Sequence, residues 1–372
     1  AQRGISRHIV RLVRSTPDPE SEIYAVKETV EEFATREYEA LRELGLRGAP
    51  SVSQIAIVNG RLTPQGEELP CAIVTRFLPY SLPYRVVLSG DVTQHDITNM
   101  ANALAYLLVR LHLLGFWWGD CSLSNTLFRR DADGFAAYLV DAETGEFQKN
   151  LSNGQREHDL ELARFNVAAE LEDLKLAGVL FPAMDPIRAS ESVITRYRKI
   201  WKALSEPQVL PANDRHAVER AMRSLQDIGF AVEEVDLQLA GDKSTLTFIP
   251  KLVAPNYHSL RLKELMGLET EEFQAKRILA SFDRFRSREI SRTPDKHEAA
   301  QRWLHEVFNK VVGSVPPDLQ GRVEDAQLFH EVLEHRWYLG EKAGIDVGLE
   351  KATADYIESV LPYRLDSGAP TV

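Results

Sequence analysis

The chain has 372 residues, of which 44% are hydrophobic and 27% are charged, and its formal net charge at pH 7 is −11. This composition excludes disorder over the whole length, and the length predicts about two domains of roughly 100–200 residues each. The acidic balance argues against a general nucleic-acid or anionic-membrane binder, because such a surface needs an outward positive field.

The first hundred residues predict strands around one helix. Strands rich in β-branched residues are expected at 8–15, 23–29, 53–59 and 71–77. Between the second and third strands, residues 30–45 switch to helical spacing. The apolar positions of this helix are Phe33, Tyr38, Leu41 and Leu44. Gly45 is placed to end it.

From about residue 94 the pattern becomes mainly helical. Helices are predicted at 99–115, 157–178 and 186–204. The first of them is apolar nearly all round and is therefore expected inside a core. The stretch GDCSLSNTLFRR (119–130) has loop character, and 136–147 is a short apolar strand that runs into polar residues.

Residues 205–214 carry two prolines and several turn residues, and they predict a domain boundary. The expected domains are 1–204 and 212–372. The second begins with a helix at 212–228 and continues with two strands, at 231–239 and 245–253, before a mostly helical remainder.

Two cysteines, Cys71 and Cys121, make neither a disulfide framework nor a zinc cluster. A reducing cytoplasm is the expected compartment. No apolar run approaches the roughly 20 residues that a membrane helix needs, so no membrane span is expected.

Five polar residues occur in an order that suits phosphoryl transfer. Lys27 lies in a strand, Glu37 lies in the next helix, Asp120 and Asn125 flank a loop after a buried helix, and Asp141 ends a short strand. A strand lysine can pair with nucleotide phosphates, and a helix glutamate can fix its direction. Amide and carboxylate oxygens suit Mg²⁺, and a loop carboxylate can accept the proton of an acceptor hydroxyl.

With these motifs in place, the sequence resembles the protein-kinase-like superfamily over about residues 1–204. The motifs that carry the resemblance are Ala25-Val26-Lys27, Arg36-Glu37-Tyr38, Leu111-His112, Gly119-Asp120-Cys121-Ser122-Leu123-Ser124-Asn125, Val140-Asp141-Ala142-Glu143 and His158-Asp159-Leu160. The stretch Thr75-Arg76-Phe77-Leu78 falls where the hinge to the adenine should be. The resemblance implies that Asp159 braces the catalytic loop and that Asn125 and Asp141 hold Mg²⁺.

Within that superfamily the chain is similar to lipopolysaccharide-kinase-like proteins (Kdo and heptose kinases), and more narrowly to actinobacterial proteins that join such a domain to a C-terminal domain of unknown function. The stretch GFWWGDCSLSNTLFRRDADGFAAYLVDAETGE carries this likeness. The resemblance implies an α+β, bilobal protein-kinase-like fold with an N-lobe at about 1–78 and a C-lobe at about 79–204. A mostly helical C-terminal domain follows. It also implies ATP and Mg²⁺ as cofactors.

Three departures from the superfamily pattern bear on function. Trp118-Gly119 replaces the usual histidine or arginine before the catalytic aspartate. Ala142-Glu143 replaces the Phe-Gly expected after Asp141, as in small-molecule kinases of the superfamily, where a Glu at this position supports metal binding. Only Gly4, with Ser6 nearby, stands where a glycine-rich phosphate loop is expected.

Several residues have a second interpretation. Glu39 is the alternative partner of Lys27, although Leu41, one turn after Glu37, favours Glu37. Trp117 and Trp118 are either ligand-stacking or packing residues. Cys121 and His112 are interpreted as packing and structural residues.

The basic stretch 276–296 is either a patch that faces phosphate or nucleic acid, or a solvated helix face. The acidic balance of the chain favours the solvated face, and nucleic acid is not an expected partner.

The function predicted for the chain is Mg²⁺/ATP-dependent transfer of phosphate to a hydroxyl of a small molecule or glycan. Lys27 and Glu37 would position the phosphates, Asp120 would be catalytic, and Asn125, Asp141 and Glu143 would hold the metal. The alternatives are a nucleotide-binding pseudokinase that acts as a scaffold and, ranked below it, a protein Ser/Thr kinase.

Overall fold

The computed structural model describes residues 10–16, 21–89, 92–149, 151–212, 214, 216–239, 245–289 and 295–364. These residues form two compact units. The first unit comprises the described residues up to Arg129 together with Gly134–Lys199, and the second comprises Arg130–Asp133 and the described residues from Ile200 onward.

A four-stranded antiparallel sheet and one helix begin the first unit. Its elements are β1 (Val10–Arg14), β2 (Ile23–Thr29), α1 (Glu31–Leu46), β3 (Gln54–Val58) and β4 (Cys71–Arg76). The strand order is β1-β2-β4-β3, which places β2 inside the sheet, next to β4. These strands and the helix coincide with the predicted ones to within about two residues.

Helix α1 turns a narrower face inward than the sequence predicts. Its buried residues are Ala34, Glu37, Leu41 and Leu44. Phe33, one of the four apolar positions at helical spacing, lies outside that stripe and its side chain is exposed. Gly45 does not end the helix either. The left-handed backbone that ends it is supplied by Gly48, whose φ is +68°, a conformation that glycine adopts without strain.

The chain from residue 81 to residue 205 is mainly helical, and residues 130–133 and 200–205 of it belong to the second unit. The elements of this stretch are β5 (Ser81–Pro83), α2 (Tyr84–Val87), α3 (Gln94–Leu113), β6 (Phe116–Trp117), β7 (Thr126–Asp131), β8 (Gly134–Leu139), β9 (Glu146–Phe147), α4 (Asn153–Leu176) and α5 (Pro186–Ser205). A capping box between Thr93 and Asp96 starts α3, which is buried along most of its length as predicted. The loop predicted for 119–130 is too long, because Thr126 already begins β7.

The second unit combines one small sheet with helices. Its elements are β10 (Gln208–Pro211), α6 (Ala217–Asp227), β11 (Phe230–Leu239), β12 (Thr245–Pro255), α7 (Tyr257–Met266), α8 (Glu272–Glu289), α9 (Lys296–Trp303), a π-helical turn (Leu304–Phe308), α10 (Asn309–Val312), α11 (Asp325–Ala343), α12 (Leu349–Ser359) and a 3₁₀ turn (Leu361–Tyr363). The sheet has the order β10-β12-β11, so the segment predicted as a boundary contains a paired strand. Trp303, Phe308 and Phe329 pack together in the helical core.

The basic stretch of the second unit is partly neutralised. Lys276 pairs with Asp227 at 2.9 Å, and Arg277 pairs with Asp133 at 2.7 Å. Arg292 lies outside the described residues. Carboxylates thus already engage two of these cations, which supports the solvated-face interpretation. Within the described part of the chain, every helix is too short or too polar to cross a membrane.

Candidate active site

Lys27 lies at the centre of a group of carboxylates in the first unit. Its Nζ is 2.9 Å from Glu37 Oε2, 2.7 Å from Asp141 Oδ2 and 3.2 Å from Glu143 Oε2. Burial lowers the pKa of Lys27, but the charges of Glu37 and Asp141 more than offset this and the net pKa is raised. Lys27 is therefore a permanent cation, held between α1 and the segment that follows β8.

Of the two glutamates considered for Lys27, the structure places Glu37 at the lysine. Glu37 is buried and Glu39 is exposed, because α1 turns residues two apart to different sides. Burial and then the charge of Asp141 raise the pKa of Glu37 to about 7, against the opposing effect of Lys27. Glu37 Oε2, 2.9 Å from Lys27 Nζ, is therefore a buried carboxylate oxygen that is already paired with the lysine ammonium.

Asp141 and Glu143 point the same way, and Ala142 between them is buried. The Glu143 backbone N–H donates to Asp141 Oδ1 at 3.1 Å, which tightens the turn. Glu37, Asp141 and Glu143 each offer a carboxylate oxygen within 4.8 Å of the others. This spacing would suit a small cation. Glu37 thus lies beside Asp141 and Glu143, two of the residues that the sequence predicted as metal ligands.

Asp120 presents an exposed carboxylate from the loop between β6 and β7. The side-chain amide of Asn125 donates to Asp120 Oδ2 and to its carbonyl oxygen, each at 3.0 Å. Gly119, just before it, has φ +74°, and a Cβ there would lie 3.3 Å from the carbonyl oxygen of Thr144. This positive φ explains why glycine precedes the aspartate.

Asp159 on α4 fixes the start of this loop. Its carboxylate accepts the backbone N–H of Trp118 and of Gly119, each at 2.8 Å. It also meets His112 Nε2 at 3.1 Å, while His112 Nδ1 meets Tyr197 Oη at 2.7 Å. His112 is thus a buried structural residue, as its sequence position indicated.

Trp118 links the loop to the carboxylate segment. Its indole N–H donates to the Asp141 carbonyl oxygen at 2.9 Å, and its own carbonyl accepts from Thr144 Oγ1 at 2.9 Å. Trp118 is fully buried, and Trp117 stacks on His158 at 5.9 Å. The burial of Trp118 and the stacking of Trp117 support the packing interpretation of these tryptophans. The hydrogen bonds of Trp118 also fix the Asp120 loop to the segment that carries Asp141.

Cys121 is a packing residue. It is fully buried, and burial followed by the charges of neighbouring carboxylates raises the pKa of its thiol well above the ordinary value. A thiol that resists ionisation is a poor nucleophile and a poor metal ligand.

The segment predicted as the adenine hinge begins in the last two residues of β4, the strand next to that of Lys27. Thr75 and Arg76 end β4, where they pair with Ala25 and Tyr24 of β2. Phe77 and Leu78 come next. The Phe77 backbone N–H donates to the Ile23 carbonyl at 3.0 Å, and the Leu78 carbonyl accepts from Ser81 Oγ at 2.7 Å. Gly4 and Ser6, which stand where a glycine-rich phosphate loop is expected, lie outside the described residues.

Two residues of α4 contact the loop although the sequence analysis did not select them. Asn166 donates its side-chain amide to Asp120 Oδ1 at 3.3 Å and to the Cys121 carbonyl at 3.1 Å. Glu170 accepts the backbone N–H of Leu123 at 2.8 Å and of Ser124 at 2.9 Å. The signal that could have found them is their spacing from Asp159, because 7 and 11 residues return to the same helix face.

The chain is similar to a protein family and to solved structures. Residues 199–361 match a family described as a domain of unknown function (DUF4032). A solved structure described as WaaP in complex with acyl carrier protein is 15% identical, with a TM-score of 0.36, over 61% of this chain and 87% of that one. At this TM-score the similarity identifies neither a fold nor an activity. No curated protein matches the chain.

Proposed function

We propose that the first unit is a phosphotransferase that uses Mg²⁺ and ATP to phosphorylate a hydroxyl of a small molecule or glycan. A bilobal protein-kinase-like arrangement over about residues 1–204 is part of the proposal. The observation that carries it is the meeting of Lys27 with Glu37 and Asp141, residues that lie 10 and 114 positions further along the chain. An ATP-dependent reaction also fits the cytoplasmic location expected from the cysteines.

Lys27 has the position needed to hold nucleotide phosphates. Glu37 and Asp141 fix the direction of its side chain, and the neighbouring strand β4 leads into the proposed hinge, residues 75–78. Restraining a lysine before the ligand binds reduces the entropy that binding must offset.

The carboxylates beside Lys27 suit a divalent cation. When Glu37, Asp141 and Glu143 are all ionised, three negative charges face one ammonium. Asp141 and Glu143, with the amide oxygen of Asn125, are the proposed ligands. Bound Mg²⁺ would neutralise charge on the nucleotide phosphates.

Asp120 is the proposed catalytic carboxylate. Its exposure leaves it accessible to an acceptor, and the amides of Asn125 and Asn166 hold its two oxygens. The acceptor oxygen would form a bond to the γ-phosphorus as the bond to the β–γ bridging oxygen breaks. The acceptor's proton would pass to Asp120, and ADP would leave.

The deciding experiment incubates the pure protein with γ-labelled ATP and Mg²⁺, with and without a metabolite extract. Label on a small molecule or glycan supports the proposal. Label on proteins only would indicate a protein kinase. If nothing is labelled although Mg-ATP raises the melting temperature, the chain is a nucleotide-binding pseudokinase.

Two variants separate chemistry from nucleotide binding. Asp120→Asn should lower turnover by roughly 10²–10⁴-fold, the usual contribution of a positioned acid or base, and leave nucleotide affinity nearly unchanged. Lys27→Met should weaken both. Lys199→Met, at an exposed lysine of α5, is the matched control. Full turnover by Asp120→Asn would show that the loop assignment is wrong.

A further inference from the structure

Helix α4 runs beside the loop that carries Asp120 and meets it in order. Asp159 contacts residues 118 and 119, Asn166 contacts 120 and 121, and Glu170 contacts 123 and 124. At 100° per residue, the three α4 positions fall within about 40° of one another around the helix and span about 16 Å along it. One polar stripe of α4 therefore makes six hydrogen bonds to the loop between residues 118 and 124.

Glu170 differs from Asp159 and Asn166 in the backbone groups that it binds. It receives two adjacent backbone N–H groups, of Leu123 and Ser124, one on each carboxylate oxygen. Two parallel donors require two acceptors, which a carboxylate supplies and an amide does not. The link is immediately beside Asn125, so the position of the Asn125 side chain depends on it.

We propose that Glu170 is a positioning residue for phosphoryl transfer, and that it sets the far end of the loop so that Asn125 and Asp120 keep their mutual geometry. This inference rests on the proposed function of the same site. Asp159 fixes the loop before Asp120, Glu170 fixes it after, and Asn166 contacts the aspartate between them. Asp120 itself lies on the exposed surface, where little packing would hold it. A loop fastened at both ends by carboxylates remains aligned without the ligand, which lowers the cost of reaching the reactive arrangement.

Hydrogen bonding within the loop supports this dependence. Ser122 Oγ accepts the Asn125 backbone N–H at 3.2 Å, and Thr126 Oγ1 donates to the Ser122 carbonyl at 2.8 Å. The segment from 122 to 126 is therefore one hydrogen-bonded turn that would move as a unit. Release of its two N–H groups from Glu170 would shift the turn and Asn125 together.

The test compares Glu170→Gln with Glu172→Gln, the same substitution at an exposed position of the same helix. For Glu170→Gln we expect kcat to fall by about 10- to 100-fold, the effect of a misplacement of about 1 Å. The KM for ATP, measured at saturating Mg²⁺ so that a weakened Asn125 ligand does not limit binding, should stay within about twofold of the parent value, because Lys27 is untouched. Glu170→Asp, which keeps both acceptors on a shorter stem, should recover part of kcat. A merely structural role would lower the melting temperature without this split between kcat and KM.

Amide hydrogen exchange tests the positioning without any activity. Loss of the charged acceptor should speed exchange at Leu123 and Ser124 by about tenfold or more, since hydrogen bonds to charged groups contribute about 1.5–3 kcal/mol. Glu172→Gln should exchange like the parent.

Equal exchange in the two variants, or an unchanged kcat for Glu170→Gln, would overturn the proposal. If the parent transfers phosphate to no acceptor, the proposed function fails. The exchange rates then still decide whether Glu170 holds the loop. Should Glu170→Gln fail to fold, Glu170→Asp provides the same two measurements.

Discussion

Replacing Asp159 by asparagine should destabilise the first unit strongly, because this carboxylate is fully buried and serves three donors. It accepts the N–H of Trp118 and of Gly119 and contacts His112. Asparagine has nearly the same volume, so no cavity arises. However, its amide offers one oxygen in place of two, and its NH₂ group must face a backbone donor. At least one buried N–H loses its partner.

The expected loss in free energy of unfolding follows from these contacts. Hydrogen bonds to a charged group contribute about 1.5–3 kcal/mol each, and an unsatisfied buried donor costs about 1–3 kcal/mol. Loss of one bond and orphaning of its donor gives about 4 kcal/mol. A unit of this size loses about 2–4 °C per kcal/mol, so its melting temperature should fall by roughly 8–16 °C.

Differential scanning calorimetry of the full chain measures this change. Asp173→Asn is the matched control, since it makes the same substitution at an exposed position of α4. It should stay within about 0.5 kcal/mol of the parent, as surface substitutions do. If Asp159→Asn and Asp173→Asn have the same melting temperature, the Asp159 carboxylate does not brace the loop and the assigned hydrogen bonds are wrong.

Three further predictions concern pH, packing and metal. Burial lowers the pKa of His112 in the folded protein. Below about pH 6.5 this histidine is therefore protonated in the unfolded chain but still neutral in the folded protein. Stability should fall with decreasing pH by up to about 1.4 kcal/mol per unit, and melts of His112→Gln should show a shallower slope than the parent; parallel profiles would contradict this. Gly145→Ala would place a Cβ 2.1 Å from Phe116 Cζ and should cost about 1–3 kcal/mol in urea unfolding. Gly45→Ala, in a helix with nothing within 4 Å, should instead gain about 0.5–1 kcal/mol, and the same sign for both would refute the packing argument. Glu143→Gln should lower the apparent Mg²⁺ affinity, with activity restored at high Mg²⁺; a loss of stability that Mg²⁺ does not relieve would assign Glu143 to bracing the loop.

Local sequence patterns predicted most elements of the first unit. The change of period after residue 29 predicted α1, the apolar run predicted the buried helix α3, and the leucine one turn after Glu37 selected it over Glu39. These features can be read locally, because the periodicity of a helix or a strand and the spacing of one helical turn are visible within a few residues.

The contacts that complete the site depend on how distant parts of the chain pack together. Lys27 and Glu143 are 116 positions apart, and Glu170 is 47 positions from Leu123, so no local period links them. The exposure of Phe33 likewise depends on how wide a face of α1 the sheet covers. A local sequence pattern places a side chain on a helix or a strand. The packing of whole helices and strands then decides which distant backbone groups that side chain contacts. Because buried N–H groups need an acceptor, the acceptor can come from any part of the chain that packs against them.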